Sequence, residues 1–451
     1  MKTKKYDLTE GSILPKLIKV AIPIMATSFI QMLHNLVDLF WLSRLSTEAV
    51  AAAGTGGTYI WLSMALLLIG RMGAEIGVSQ NIGSGDKETA KKYAQNSYFL
   101  AVAFGVLYAM ILIFFSDILV SFFDIADDYV VYLSTRYLIF IGISIPFTYM
   151  KAVITGFFSG FGNTKTPFYL NSFGLVLNIA ISPIFIFTLD LGIVGAALST
   201  SIAQIISFAV FLYILKRYKN HPFENFKLIT LPSTKYIKDI LKWGLPVAIE
   251  SGLFTILTMI VMRFIANFGN EALAINRVGS QIEALSWLVG GGFATAVTAF
   301  VGQNYGAKKF TRIRKGFKLS IILMTSWGLL VSLVMFVFAI PIMGIFFSEP
   351  NELAISLSYM RILSFMQIPV CLEGVAAGCF RGSGNTKNPS IASITSNALR
   401  VVFCFFLSNT ALGLDGIWIG LTLGAVIRGF WILIWYMVYM GKLTKVNKQV
   451  L

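Results

Sequence analysis

Stretches of about twenty or more residues with few or no charges recur twelve times along the chain. They lie near 17–42, 54–80, 93–116, 129–160, 168–189 and 195–215, and again near 239–267, 277–303, 319–347, 354–381, 389–410 and 416–440. A helix needs about 20 apolar residues to cross a bilayer's hydrocarbon core. The fifth and sixth stretches contain no charged side chain between Phe168 and Leu189 or between Gly195 and Leu215. Runs that are apolar all round belong against lipid or other helices, so the pattern predicts twelve membrane helices. The longest polar interruption, residues 216–238, reads as a linker between a first half (1–215) and a second half (239–440), with 441–451 as a polar tail.

The loops between spans alternate in sign. Asp117, Asp124, Asp127 and Asp128 follow the third span, Asp190 the fifth, Glu349 and Glu352 the ninth, and Asp415 the eleventh. Lys165 follows the fourth, Lys308, Lys309, Arg312, Arg314, Lys315 and Lys318 the eighth, and Arg381 and Lys387 the tenth. Lysine and arginine collect in cytoplasmic loops. Both termini and the linker are therefore expected in the cytoplasm, which requires an even number of spans.

The two halves repeat each other. A shift of 223 residues brings Pro23 onto Pro246, Glu48 onto Glu271, and the QNIG at Gln80 onto the QNYG at Gln303. With a shift of 222, GNTKTP (Gly162–Pro167) falls on GNTKNP (Gly384–Pro389). Each half starts on the same side, so the expected fold is all-α, two pseudo-symmetric six-helix lobes in parallel topology. Such repeats are characteristic of transporters that bind a ligand between lobes.

Composition narrows the class further. Of the 451 residues, 56% are hydrophobic and 13% charged, against about 25% charged in a soluble domain. The net charge of +15 sits mostly in loops, where membrane topology accounts for it, so no nucleic-acid partner is expected. Cys371, Cys379 and Cys404 lie in apolar surroundings, and His34 and His221 lie far apart, which offers neither a disulfide framework nor a metal cluster. The charged N-terminus does not read as a cleaved signal peptide. No phosphate-binding loop of the G-x-x-x-x-G-K-[ST] type is present, so ATP drive is not expected. No nucleophile, base and orienting group can be assembled, so neither an enzyme nor an organic cofactor is expected.

Several of these features together resemble the multidrug and toxic compound extrusion (MATE) family. They are Pro23 followed by Asp38 within DLFWLSRLSTEAVAAAG, the QN-x-G endings, the paired GNTKxP loops, and Pro246 with Glu250 in span seven. The resemblance implies a monomeric exporter of bulky, often cationic organic compounds, driven by inward sodium ions or protons. It also implies a V-shaped cavity between two six-helix bundles in a bacterial or archaeal plasma membrane. A flippase of lipid-linked oligosaccharides or peptidoglycan precursors, from the same superfamily, is the alternative.

Charges inside spans are costly and point to function. Asp38, with His34 and Asn35 nearby, matches the family's coupling acid of the first helix, and Asn178 and Thr200 match its neutral ligands. Where the family often carries a second aspartate, this chain has Ser182. Glu250 lies about 18 Å into span seven and Glu373 about 12 Å into span ten, at about 1.5 Å per residue. The resemblance places acids there too, most clearly in a NorM-like branch, as a second-lobe cation site. Two carboxylates in low dielectric hold a proton or attract a cation, because both cannot stay ionised cheaply. Arg400, at similar depth in span eleven, is the expected partner. Arg71 and Glu75 are expected to pair with each other along one helix face. Arg263, Arg277 and Glu283 are expected to be solvated or paired near the outer ends of their spans. Lys151 stands one repeat away from Glu373, so the lobes have diverged in task. Pro23 and Pro246, at equivalent positions inside spans one and seven, are the candidate hinges.

Overall fold

The computed structural model describes residues 6–217, 223, 226–228 and 230–450. Much of the linker, and His221 with it, lies outside them. Two series of eight helices follow each other. The first is α1 (Ile13–Leu45), α2 (Thr47–Ser84), α3 (Lys87–Phe114), the short α4 (Ser116–Ser121), α5 (Asp128–Gly142), α6 (Ile145–Phe161), α7 (Lys165–Pro183) and α8 (Gly192–Arg217). The second is α9 (Thr234–Ala266), α10 (Asn270–Gly306), α11 (Phe310–Val337), the short α12 (Ala339–Met343), α13 (Pro350–Ser364), α14 (Gln367–Gly382), α15 (Lys387–Ser408) and α16 (Gly413–Val450). The order of long, short and broken helices is the same in both. A π-helical turn, Ile184–Thr188, extends α7.

Ten of these helices are long and apolar enough to cross a membrane, and the bent pairs α5–α6 (46°) and α13–α14 (40°) bring the spans to twelve. The expected span number and the all-helical class are both present; among the described residues there is no strand. The two bends have one cause. Pro146 and Pro369 stand near the starts of α6 and α14, where each lacks the N–H that would continue the preceding helix and its ring crowds the turn before it. Hydrophilic caps set other ends: Ser46 accepts from the Ala49 N–H at the start of α2, Asp127 from Tyr129 at α5, and Gly85 closes α2 at φ 87°.

The chain divides into two compact units, Met1–Leu8 with Lys19–Ala248, and Thr9–Ile18 with Ile249–Leu451. In the first, α2 lies on α3 and α6 around a core that includes Leu67, Tyr98, Tyr149, Phe157 and Phe158. In the second, α10 lies on α14 and α15 on α16, around a core in which the rings of Tyr359 and Trp418 meet at 4.8 Å. The segment before α1 joins this unit through Arg312, which donates to the carbonyls of Gly11 and Glu10.

The sequence repeat is also a packing repeat. A Cβ at Gly156 or Gly160 would stand 3.0 Å from the Arg71 carbonyl oxygen or 2.7 Å from that of Glu75. The repeat-equivalent Gly378 and Gly382 would meet the carbonyls of Ala294 and Thr298 at 2.5 and 2.6 Å. Small residues four apart let two helix backbones touch where lipid offers no hydrophobic drive for association. The same glycine pair therefore locks α2 to α6 in one unit and α10 to α14 in the other.

Candidate functional site

In the second unit α9, α14 and α16 bring four charged side chains into one cluster, to which α15 adds neutral partners. Gly429 allows this: its Cβ would lie 2.4 Å from the Pro369 carbonyl oxygen, so α16 lies directly on the start of α14. That approach sets Arg428 Nε 2.6 Å from Glu373 Oε2, an ion contact rather than an aligned hydrogen bond. Arg428 Nη1 also donates to Asn397 Oδ1 at 3.3 Å. Glu250, on α9, accepts from the Ser390 hydroxyl at 2.7 Å and faces Arg381 Nη2 at 3.9 Å. Arg428 and Glu373 are 9% and 17% exposed at the side chain, dry enough that each charge depends on its partner.

The two glutamates expected from depth are thus brought into one neighbourhood, but their partners differ from expectation. Arg400 pairs with neither. It donates to Thr258 Oγ1 at 3.0 Å and stacks over the Phe254 ring at 5.2 Å. The reason is rotation about the helix axis: depth along α15 places Arg400 at the right level, but its side chain leaves the helix towards α9. Arg428 and Arg381 carry the ion contacts, and depth counting had singled out neither. A signal for Arg428 does exist in the sequence, because a glycine directly after a mid-span arginine marks a close helix approach.

In the first unit Asp38 is half-exposed, and its carboxylate lies 3.3 Å from His34 Nδ1, one helical turn earlier. Asn178 Nδ2 donates to Thr200 Oγ1 at 3.1 Å, which brings together the two neutral residues the resemblance paired. Asn178 Oδ1 is buried without a hydrogen-bond partner. Asp38 bonds neither of them. Ser182, in place of the second aspartate, shares a 3.0 Å hydrogen bond with Ser199. Pro23 and Pro246 lie inside unbroken helices, and Thr27 Oγ1 donates to the Pro23 carbonyl at 2.8 Å.

Two expectations are corrected. Arg71 and Glu75 make no ion pair with each other: Glu75 is buried at 1% exposure, and Arg71 instead lines a cavity. Glu283, expected solvated or paired with a charge, is neither: it is 6% exposed and its partner is the neutral Tyr359 hydroxyl, from which it accepts at 2.6 Å. Arg263 and Arg277, by contrast, are exposed. Periodicity fixed the helix for each of these residues but not which way its face turns. Among the described residues no three His, Cys, Asp or Glu side chains are grouped to hold a metal ion, and all three cysteines are buried and free.

The MatE family model matches residues 23–184 and again 246–406, so both halves match and each match begins at one of the two equivalent prolines. The chain belongs to the MatE family. Among its MatE relatives, a probable multidrug resistance protein NorM from Thermotoga maritima is 29% identical over 92% of this chain and 90% of its own. The multidrug export protein MepA from Staphylococcus aureus is 21% identical over 91% of each. An outward-facing multidrug resistance MATE transporter of the MOP superfamily shares the fold at a TM-score of 0.91, with 25% identity over 98% of this chain and 99% of its own. This MatE chain is a multi-pass membrane protein of a transporter family.

Proposed function

We propose that the chain is a secondary-active exporter of bulky organic compounds, coupled by antiport to inward protons or sodium ions and working by alternating access. On this reading it sits in a bacterial or archaeal plasma membrane with both termini in the cytoplasm, and it needs no cofactor beyond the coupling ion. The observation that carries it is the pair of intramembrane acids, Glu250 and Glu373, each facing a guanidinium in a MatE-family chain.

A carboxylate so placed has two alternatives, its arginine or an incoming cation, and exchanging them gives a two-state element. A coupling ion shifts an equilibrium only through different affinity for the two states. When Glu373 takes a proton or sodium ion, the contact with Arg428 is released, α14 and α16 lose a cross-link, and the unit can adopt its second arrangement. Loss of the ion to the cytoplasm restores the pair. Asp38, with the buried free oxygen of Asn178 elsewhere in the first unit, supplies the groups for a second cation step. Pro23 and Pro246 are the hinges in this scheme.

The test is dye efflux from sealed vesicles, using one cationic and one anionic fluorescent dye, with proton and sodium gradients imposed separately. Wild type should move dye only with a gradient. Glu373→Gln and Glu250→Gln should cut the rate at least about ten-fold if coupling lies in the second unit, and Asp38→Asn should do so if it lies in the first, a loss matching about 1.4 kcal/mol or more. Transport of either dye without any gradient would overturn the antiporter. The flippase reading has one observation in its favour, the positive charges lining the first unit's cavity. It would prevail if neither dye moved while a fluorescent lipid with a pyrophosphate head group was translocated.

A further inference from the structure

A cavity of about 440 Å³ opens within the first unit, walled by α1, α2, α6, α7 and α8. Its size falls in the range of small-molecule sites, about 300–1,000 Å³. Its chemistry is one-sided. Arg71 and Lys151 line it together with neutral donors such as Thr155, Asn171 and Gln204, and none of its lining residues is an aspartate or glutamate. Trp61, Met64 and Leu67 supply an apolar wall.

Among the described residues neither cation has an acidic partner. Lys151 is 7% exposed, and its Nζ donates to Gln204 Oε1 at 2.8 Å. An ammonium carries three donors, and that neutral amide takes one. Arg71 Nε is buried without a hydrogen-bond partner, and among the described residues no acid lies within ion-pair distance of either side chain. His34 faces Asp38, which does not line the cavity. A buried charge without a counter-charge is expensive.

The second unit shows that the fold does not require these cations. It has Ala294 where the first has Arg71 and Glu373 where the first has Lys151, yet it keeps the same glycine-locked packing of the equivalent helices. The two charges are therefore particular to this cavity.

We infer that the first unit's cavity binds the anionic group, a carboxylate or phosphate, of an amphipathic molecule whose apolar part rests on Trp61 and its neighbours. Arg71 and Lys151 supply the counter-charge and charge-assisted hydrogen bonds, and Gln204 holds Lys151 in place. Calling that molecule the cargo rests on the exporter reading; the binding site itself does not.

The experiment is a binding titration of the full chain in detergent, read by quenching of tryptophan fluorescence. The probes are pyrenebutyrate, its uncharged amide, and pyrenebutylammonium. The carboxylate should bind about 10- to 100-fold more tightly than the amide, the range expected for hydrogen bonds to a charged group. Lys151→Gln and Arg71→Gln should each remove most of that preference, Lys151→Arg should retain it, and Trp61→Phe should reduce the quenching.

Equal binding of carboxylate and amide, or tighter binding of the ammonium, would overturn the inference. So would an unchanged carboxylate preference in both charge-removed variants. Retained binding of the uncharged amide shows that a variant is folded, so loss of anion preference cannot be mistaken for collapse. Repeating the titration in nanodiscs identifies the source of the anion. Competition by phosphatidylglycerol, absent with phosphatidylcholine alone, assigns the site to a lipid head group, and its absence assigns it to a soluble anion. No gradient is involved, so a selective site in a chain that fails to move dye would sink the exporter reading and leave the site standing.

Discussion

Arg428 and Glu373 compensate each other's charge in a place from which water is largely excluded. Removing one partner of such a pair leaves the other uncompensated, which costs about 3–5 kcal/mol in buried pairs, whereas replacing both with apolar side chains of similar volume is often neutral. Glu373→Gln and Arg428→Met should each lower the thermal unfolding midpoint in detergent, and the double variant Glu373→Met with Arg428→Met should recover most of the loss. Additive losses in the double variant would mean that the two side chains act separately. The glutamate was legible from the sequence because an acid in mid-span is rare, and counting residues from the nearest loop gives its depth. Its partner was not legible, since Arg400, Arg428 and Arg381 are all near enough in depth. Only the rotation of each helix, fixed by Gly429 against the Pro369 carbonyl, decides which guanidinium arrives.

Helix ends and bends followed more directly from residue chemistry than side-chain pairing did. Prolines inside the spans expected at 129–160 and 354–381 mark where a kink is permitted, although hydropathy alone does not tell a proline that breaks a helix from one, such as Pro23, that stays inside an unbroken one. Pro146 and Pro369 break them because the missing N–H falls where the helix turns, one repeat apart. Caps depend on local chemistry alone. Asp86 precedes α3 and accepts from the Thr89 N–H at 2.9 Å, and this hydrogen bond holds its carboxyl below the ordinary value of 3.8. The helix N-terminus favours the negative form further. Because the folded value is depressed, the stabilisation is present above the unfolded value and is lost as pH falls through the folded one. Asp86→Asn keeps a capping oxygen but cannot titrate. The advantage of wild type over Asp86→Asn in thermal unfolding should therefore stay flat from pH 7 to about 5 and shrink below about 4. An advantage that instead grows on acidification would exclude the cap as its source.

At the scale of the whole chain the repeat was the strongest signal, because a shift of 222 or 223 residues survives in motifs, in element order and in the glycine contacts of both units. What the repeat conceals is divergence: Lys151 against Glu373 and Arg71 against Ala294 turn equivalent positions to opposite chemistry. The orientation proposed for the twelve spans rests on loop charge, and the chain is well made for testing it. Cys371, Cys379 and Cys404 are all buried, so a membrane-impermeant maleimide should find little background. Asp117 in α4 and Glu349 just before α13 are exposed on acidic connections, while Lys315 and Lys387 are exposed near the basic starts of α11 and α15. Cysteines introduced at Asp117 and Glu349 should be labelled on intact cells. Those at Lys315 and Lys387 should be labelled only after permeabilisation, because lysine-rich loops are retained on the cytoplasmic side. The reverse pattern would turn the chain over, and labelling of one acidic and one basic position from the same side would break the odd count of spans between them.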